Sequence, residues 1–134
     1  MRFSFLELPG EPPVLRPVVP ITVAGLDAAP QLCLVDTGAL RNRFGRWVAD
    51  AAGVGLEEAL VERFAVGGIT TTGWMARVDL ELATSRFDAP VWFCDPWPFS
   101  FNLLGQEGFL RYFHLEVCAA EGWLDCEPEP HAAD

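Results

Sequence analysis

Long apolar runs are absent from this sequence. No stretch approaches the roughly 18 continuous apolar residues that a membrane-spanning helix needs. The first eight residues contain no apolar run long enough for a signal peptide, and Pro9 and Gly10 interrupt the segment early. We therefore expect a cytoplasmic protein that does not interact with membranes.

Basic residues are few. Nine Lys and Arg residues stand against nineteen Asp and Glu residues, which gives a net charge of −10 at pH 7. Because such a chain repels phosphate backbones, we expect no binding to nucleic acid. Acids and prolines are concentrated near the C-terminus, which indicates a folded domain over residues 1–119 and an acidic, flexible tail over residues 120–134.

Side chains that commonly bind metal ions are also scarce. The sequence has two histidines and four cysteines, and no two cysteines have Cys-x-x-Cys spacing. We therefore expect no metal and no cofactor. Reduced structural thiols are the favoured state, although a Cys118–Cys126 disulfide remains open. We expect His114 to lie at the surface or at an interface.

The length and composition fit one globular domain. The 134 residues are 51% hydrophobic and 21% charged, so the chain can form a core but is too short for two domains. Apolar content at this level is compatible with a surface that is buried against a second subunit.

Most of the chain has the pattern of short strands. We predict strands over residues 3–8, 18–23, 31–35, 91–94 and 113–119, and a hairpin from residues 61–66 and 74–82 with its tip at residues 67–73. One helix is predicted around an apolar face that begins at Phe44, with Asn42 capping its start and Gly53 ending it. A second helix is predicted over residues 106–112. The expected fold class is all-β with two short helices.

Asp36-Thr37-Gly38 follows the apolar strand directly. A carboxylate beside Leu34 and Val35 is costly to ionise unless it is hydrogen-bonded or functional, and the glycine allows a tight turn. The bare tripeptide is a weak signal, because Asp36 could simply cap a turn in a monomeric barrel.

Three motifs in order strengthen the functional interpretation. Residues 34–39 resemble the active-site signature of the retropepsin-like aspartic proteases, which is two apolar residues, Asp, Thr or Ser, Gly and Ala. The segment Val66-Gly67-Gly68-Ile69 resembles the glycine-rich flap of that family. Leu103-Leu104-Gly105 resembles its second motif, whose glycine loop packs against the catalytic loop.

The resemblance implies a closed, barrel-like acid-protease fold with one lobe per chain and a symmetric homodimer with one active site. Asp36 of each subunit would be catalytic, the Thr37 hydroxyl would hydrogen-bond across the dimer axis, and Gly38 would contact substrate. The peptide substrate would also meet the following residues: Ala39, Val66, Gly67, Gly68, Ile69, Leu103, Leu104 and Gly105. Trp74 would either form a wall of the cleft or pack beneath the flap.

The resemblance therefore predicts an aspartic endopeptidase that needs no metal. The alternative is a catalytically silent module of the same fold that dimerises or binds peptides. Strands 3–8 and 113–119 would interleave with their copies at the dimer interface. The sequence departs from viral members after each motif, which leaves open an ion pair of Arg41 or Arg43 with Glu107.

Overall fold

Strands dominate the computed structural model, which describes residues 1–130. The predicted all-β class is confirmed, with a single short helix within the described range. The elements are β1 (Arg2–Ser4), β2 (Val18–Val23), β3 (Gln31–Val35), β4 (Asn42–Gly45), α1 (Arg46–Ala52), β5 (Leu60–Val66), β6 (Ile69–Leu82), β7 (Ser85–Asp95), β8 (Asn102–Leu104), β9 (Phe113–Cys118) and β10 (Trp123–Pro128).

Six strands close into a barrel. They follow the order β2-β3-β8-β4-β7-β6, and β6 pairs back to β2 through Thr22–Glu81 and Val23–Leu80, while β5 extends outward from β6. The interior is filled by side chains such as Ile21, Phe44 and Phe93, all with 0% exposure. Each buried side chain of this size stabilises the fold by about 1.5–3 kcal/mol, so the barrel core carries much of the stability.

A separate three-stranded sheet joins both ends of the chain in the order β1-β10-β9. The predicted flexible tail is wrong for Trp123–Pro128, because these residues form β10, the central strand of this sheet. Leu124 and Cys126 alternate toward the core with 0% exposure, whereas Asp125 points outward to Arg2. Residues 131–134 lie outside the described residues.

The termini pair within one chain. The strand predicted over residues 3–8 is shorter, Arg2–Ser4, and it pairs with β10 of the same chain. The predicted interleaving of β1 and β9 with their copies stays a prediction. One edge of β9 is left unpaired in the described sheet.

Helix α1 begins later than predicted. Asn42 and Phe44 belong to β4, and Gly45 rather than Asn42 occupies the N-cap position. Gly53 ends the helix as predicted, with φ of 74°, and its N–H donates to the carbonyl oxygens of Ala49 and Asp50. The strand β4 forms because it is inserted between β8 and β7, a long-range pairing that local periodicity does not reveal.

The second predicted helix is wrong. Residues 106–112 form consecutive turns, in which the N–H of Leu110 donates to Gly105 O at 3.0 Å and that of Arg111 to Gln106 O at 3.1 Å. These bonds span five residues instead of the four of an α-helix. Gly108, with φ of 114°, interrupts any regular helical path.

The predicted hairpin is present as β5 and β6, but its tip is tighter than the predicted residues 67–73. Val66 pairs with Ile69, which leaves Gly67 and Gly68 as a two-residue turn. Both have positive φ, 56° and 81°, the backbone conformation that the tightest β-hairpin turns require. The four cysteines are free thiols, and Cys118 and Cys126 lie opposite Trp123 and Leu115 rather than opposite each other.

Candidate active site

Strand β3 carries the chain directly into Asp36. The Asp36 side chain is half-buried, while Thr37 and Gly38 are exposed at the tip of the loop. The N–H of Gly38 donates to Asp36 Oδ1 at 2.9 Å, and the N–H of Ala39 donates to Asp36 O at 3.1 Å. We call residues 36–39 the Asp36 loop. Its own backbone amide holds the carboxylate in one orientation at the protein surface.

The strand that precedes Gly105 runs parallel to β3. Leu34 pairs with Leu103 and Val35 with Leu104, so the two predicted motifs lie side by side. The Asp36 N–H donates to Leu104 O at 3.0 Å. Leu104 is fully buried, so it supports Asp36 through its backbone and has no surface to offer a peptide.

The residues after Leu104, which we call the Gly105 loop (residues 105–108), also brace the Asp36 loop. Gln106 N–H donates to Ala39 O at 2.9 Å, and the Gln106 side-chain amide donates to Thr37 O at 3.0 Å. A Cβ on Gly105 would lie 2.5 Å from the carbonyl oxygen of Arg41, so only glycine fits. The structure therefore brings together the first and second predicted motifs.

A buried amide that the sequence did not single out as functional joins these loops. Asn42 Oδ1 accepts from the Gly105 N–H at 3.0 Å, and Asn42 Nδ2 donates to Gly108 O at 3.0 Å and to Pro90 O at 3.3 Å. The sequence did contain a signal for this role. Asn42 stands between Arg41 and Arg43, and in a strand the middle residue of such a triplet faces the opposite side from its two neighbours.

The tip of the β5–β6 hairpin contacts the loop before β8. A Cβ on Gly67 would lie 2.8 Å from Phe99 Cζ and 3.5 Å from Pro98 Cγ. Thr71 Oγ1 donates to Pro96 O. The flap candidates Val66, Gly67, Gly68 and Ile69 form this tip, which meets the segment leading into Leu103 through Gly67.

The two remaining candidates differ in position. Leu103 is 8% exposed and packs with Leu8, Val18 and Phe101 in a second apolar cluster beside the barrel. Trp74 is half-buried, packs against the main core, and carries the Arg46 guanidinium 4.2 Å from its ring centroid. Trp74 belongs to β6 of the hairpin, and both alternatives for its role stay predictions.

The arginines near the Asp36 loop have other partners than predicted. Arg41 forms an ion pair with Glu62, and Glu107 lies 3.6 Å from Arg111. The ion pair with Glu107 that the sequence left open is not formed among residues 1–130, and only the backbones of Arg41 and Glu107 form a bridge. Sequence spacing could not reveal Glu62, which the hairpin brings from another part of the chain.

An apolar groove borders the exposed side of the Asp36 loop. Its volume is about 570 Å³, and its lining includes Thr37, Leu110, His114, Leu115 and Val117. Val117 is 51% exposed on the unpaired edge strand β9. Exposed apolar surface of this kind is typical of an interaction face.

Nothing in residues 1–130 resembles a metal centre, because no three His, Cys, Asp or Glu side chains converge. No helix in this range is long and apolar enough to cross a lipid bilayer.

The six-stranded barrel, with two glycine loops packed against each other, defines a retropepsin-like fold. The chain is similar to the crystal structure of the retroviral protease-like domain of Ddi1 from Leishmania major, with a TM-score of 0.62 and 18% identity, over 85% of this chain and 90% of that domain. No protein-family model matches the sequence, and no curated protein sequence matches it.

Proposed function

We propose that the chain is an aspartic endopeptidase that acts as a homodimer. The observation that carries this proposal is the bracing of the Asp36 loop by the Gly105 loop within a retropepsin-like barrel. This bracing holds the half-buried Asp36 carboxylate in one place at the protein surface, which suits acid–base chemistry.

The mechanism requires two copies of Asp36, because each chain supplies one carboxylate. Two carboxylates in contact share one proton. The ionised member takes a proton from a water held between them, and that water attacks the peptide carbonyl carbon. The protonated member hydrogen-bonds the carbonyl oxygen and then helps to protonate the departing amine. The exposed Thr37 hydroxyl is the group that would hydrogen-bond the facing loop.

The β5–β6 hairpin is the element that would cover a bound peptide and exclude water. Ala39, Gly38 and the hairpin tip would supply backbone contacts, and Leu103 an apolar one.

The proposal is tested by comparing purified wild-type protein with Asp36→Asn on a pool of capped random decapeptides, with mass-spectrometric detection. Asparagine keeps an oxygen acceptor for the Gly38 N–H, so the fold should be retained. We expect wild-type cleavage that resists EDTA and iodoacetamide, and a loss of at least about a thousandfold in Asp36→Asn.

Cleavage at the wild-type rate by Asp36→Asn would remove Asp36 from the mechanism. A wild-type dimer that cleaves no peptide at any pH tested would instead favour the silent binding module.

A further inference from the structure

Arg43 is a guanidinium held between the barrel and the β5–β6 hairpin. Asn42 and Phe44 face the core on β4, so Arg43 projects from the opposite face of that strand. Its Cζ atom lies 3.6 Å from the centroid of the Phe64 ring on β5. The side chain is only half-buried, so a ligand entering beneath the hairpin could reach it.

One donor atom of the Arg43 guanidinium has no hydrogen-bond partner in the described chain. Its Nη1 atom is buried and has no partner within residues 1–130, a condition that is rare for buried donors. Glu62, the acid on this side of the hairpin, is paired with Arg41. Burial raises the pKa of the neighbouring Cys94 thiol to about 12, so that group is neutral and a weak acceptor.

Aromatic rings fix the position of both arginines. The Arg41 guanidinium lies 4.4 Å from the centroid of the Trp92 ring. A Cβ on Gly73 would lie 2.7 Å from Phe64 and 3.3 Å from Trp92, so this glycine makes room for the two rings. A planar guanidinium held in this way is suited to binding a carboxylate, because little side-chain freedom remains to be lost.

The position of Arg43 relative to Asp36 indicates which part of a bound peptide could reach the guanidinium. Leu34, Leu103 and Arg43 are adjacent on β3, β8 and β4, so Arg43 is two strand spacings, about 10 Å, from Leu34. Asp36 lies two residues beyond Leu34, which places it about 12 Å from Arg43. An extended peptide advances about 3.3 Å per residue, so a peptide cut at Asp36 would present a side chain to Arg43 within about four residues of the cleaved bond.

We propose that Arg43 is a specificity-determining residue that binds the carboxylate of an Asp or Glu side chain in the substrate peptide. This inference rests on the proposed function, since it assigns the chemistry of one subsite of that same cleft. The net charge of −10 disfavours acidic peptides at long range, so a preference for them must arise from a local site.

The experiment uses matched decapeptides that are N-acetylated and C-amidated, so that the only variable charge is a single Glu-to-Gln exchange. The exchange is placed in turn at each of the four positions on either side of a bond that wild-type protein cuts. Four proteins are compared: wild type, Arg43→Met, Arg43→Lys and Arg63→Met. Arg63 is an exposed arginine next to Phe64 on β5 and pairs with no acid in the described structure, so it is the matched control.

At one position we expect wild-type kcat/KM to favour Glu over Gln by about tenfold or more. Arg43→Met keeps the apolar stem against Phe64 and should reduce this preference to within about twofold, while Arg63→Met should leave it unchanged. Arg43→Lys keeps a charge without the planar fork and should give an intermediate value. If Arg43→Met fails to fold, Arg43→Lys becomes the deciding variant. A Glu-over-Gln preference in Arg43→Lys equal to that of wild type would then overturn the inference.

Equal wild-type rates for Glu and Gln at every position would overturn the inference and leave the proposed protease intact. If wild type cuts no peptide, fluorescein-labelled apolar decapeptides with one central Glu or Gln are titrated by fluorescence anisotropy. Tighter binding of the Glu peptide that is lost in Arg43→Met would support the subsite although the protease proposal failed. Equal affinities of wild type for the Glu and Gln peptides would overturn the inference about Arg43.

Discussion

Asn42 is the residue on which the arrangement of the two loops depends. Both of its side-chain donors are used on fixed backbone carbonyl groups, and its oxygen accepts from Gly105, all without exposure to water. Neither backbone carbonyl group can donate a hydrogen bond. The amide is therefore matched to its surroundings in a way that a carboxylate of the same shape is not.

At this residue we expect Asn42→Asp to lower the free energy of unfolding by about 3 kcal/mol or more, because it places a carboxylate against two buried carbonyl oxygens. Urea denaturation followed by circular dichroism measures the change. Gln106→Glu is the control, since the same exchange at an exposed amide should cost below about 1 kcal/mol. Equal losses in the two variants would contradict the role given to Asn42.

Among the elements, the β5–β6 hairpin is held at its tip. Gly67 contacts Phe99, whereas Gly68, the other turn residue, has no atom within 4 Å of where a Cβ would be. Both glycines have positive φ, so an alanine at either position carries similar backbone strain. The difference in stability between the two alanine variants therefore reports the contact of Gly67 with the loop before β8.

We expect Gly67→Ala to destabilise the hairpin by about 1–2 kcal/mol more than Gly68→Ala, because its Cβ would overlap the Phe99 ring. Hydrogen exchange of the β5 and β6 amides provides the measurement, with the β9 and β10 amides as an internal reference. Identical exchange in the two variants would mean that the tip does not rest on Phe99.

At the scale of the whole molecule, the proposed enzyme is incomplete as one chain. The exposed Thr37, the apolar groove beside it and the unpaired edge of β9 are contiguous, and an edge strand with exposed apolar residues is a site at which chains associate. In the proposed homodimer, a second copy would dock on this face, which Thr37 borders.

We expect Val117→Arg to weaken dimerisation by tenfold or more, since it places a charge in this apolar face. Sedimentation velocity over a concentration series reports the change. Val61→Arg is the matched control, because Val61 is 55% exposed on an edge strand of the barrel sheet, β5. Equal dimer strength in both variants would place the interface elsewhere.

The pair of carboxylates also predicts how assembly depends on pH. In the proposed dimer, two Asp36 side chains would share one proton, so the dimer would take up protons as it forms and dimerisation should strengthen as pH falls. Asp36→Asn removes this proton uptake, and its dimer should vary less with pH across about pH 4–8. Sedimentation equilibrium of both proteins tests this. Identical slopes would mean that the carboxylates do not meet.

The sequence by itself determined the features that depend on local pattern. Strands Val18–Val23 and Gln31–Val35 match their predicted bounds, because alternation and an apolar run report directly on burial. Gly53 ends the helix because a left-handed residue is needed there, a requirement that nearby residues set. The order of the three motifs was likewise enough to predict the fold.

Only the tertiary structure decided the features that depend on distant partners. The acidic segment 123–128 is a strand because β1 and β9 pair with it on both sides, and residues 42–45 are a strand because β7 and β8 flank them. Local charge and helical periodicity favoured other states in both places. The position of Arg43 beneath Phe64 has the same origin, since the hairpin folds back over β4. Pairing energy between segments far apart in the chain outweighed local preference, and a single sequence does not record which segments meet.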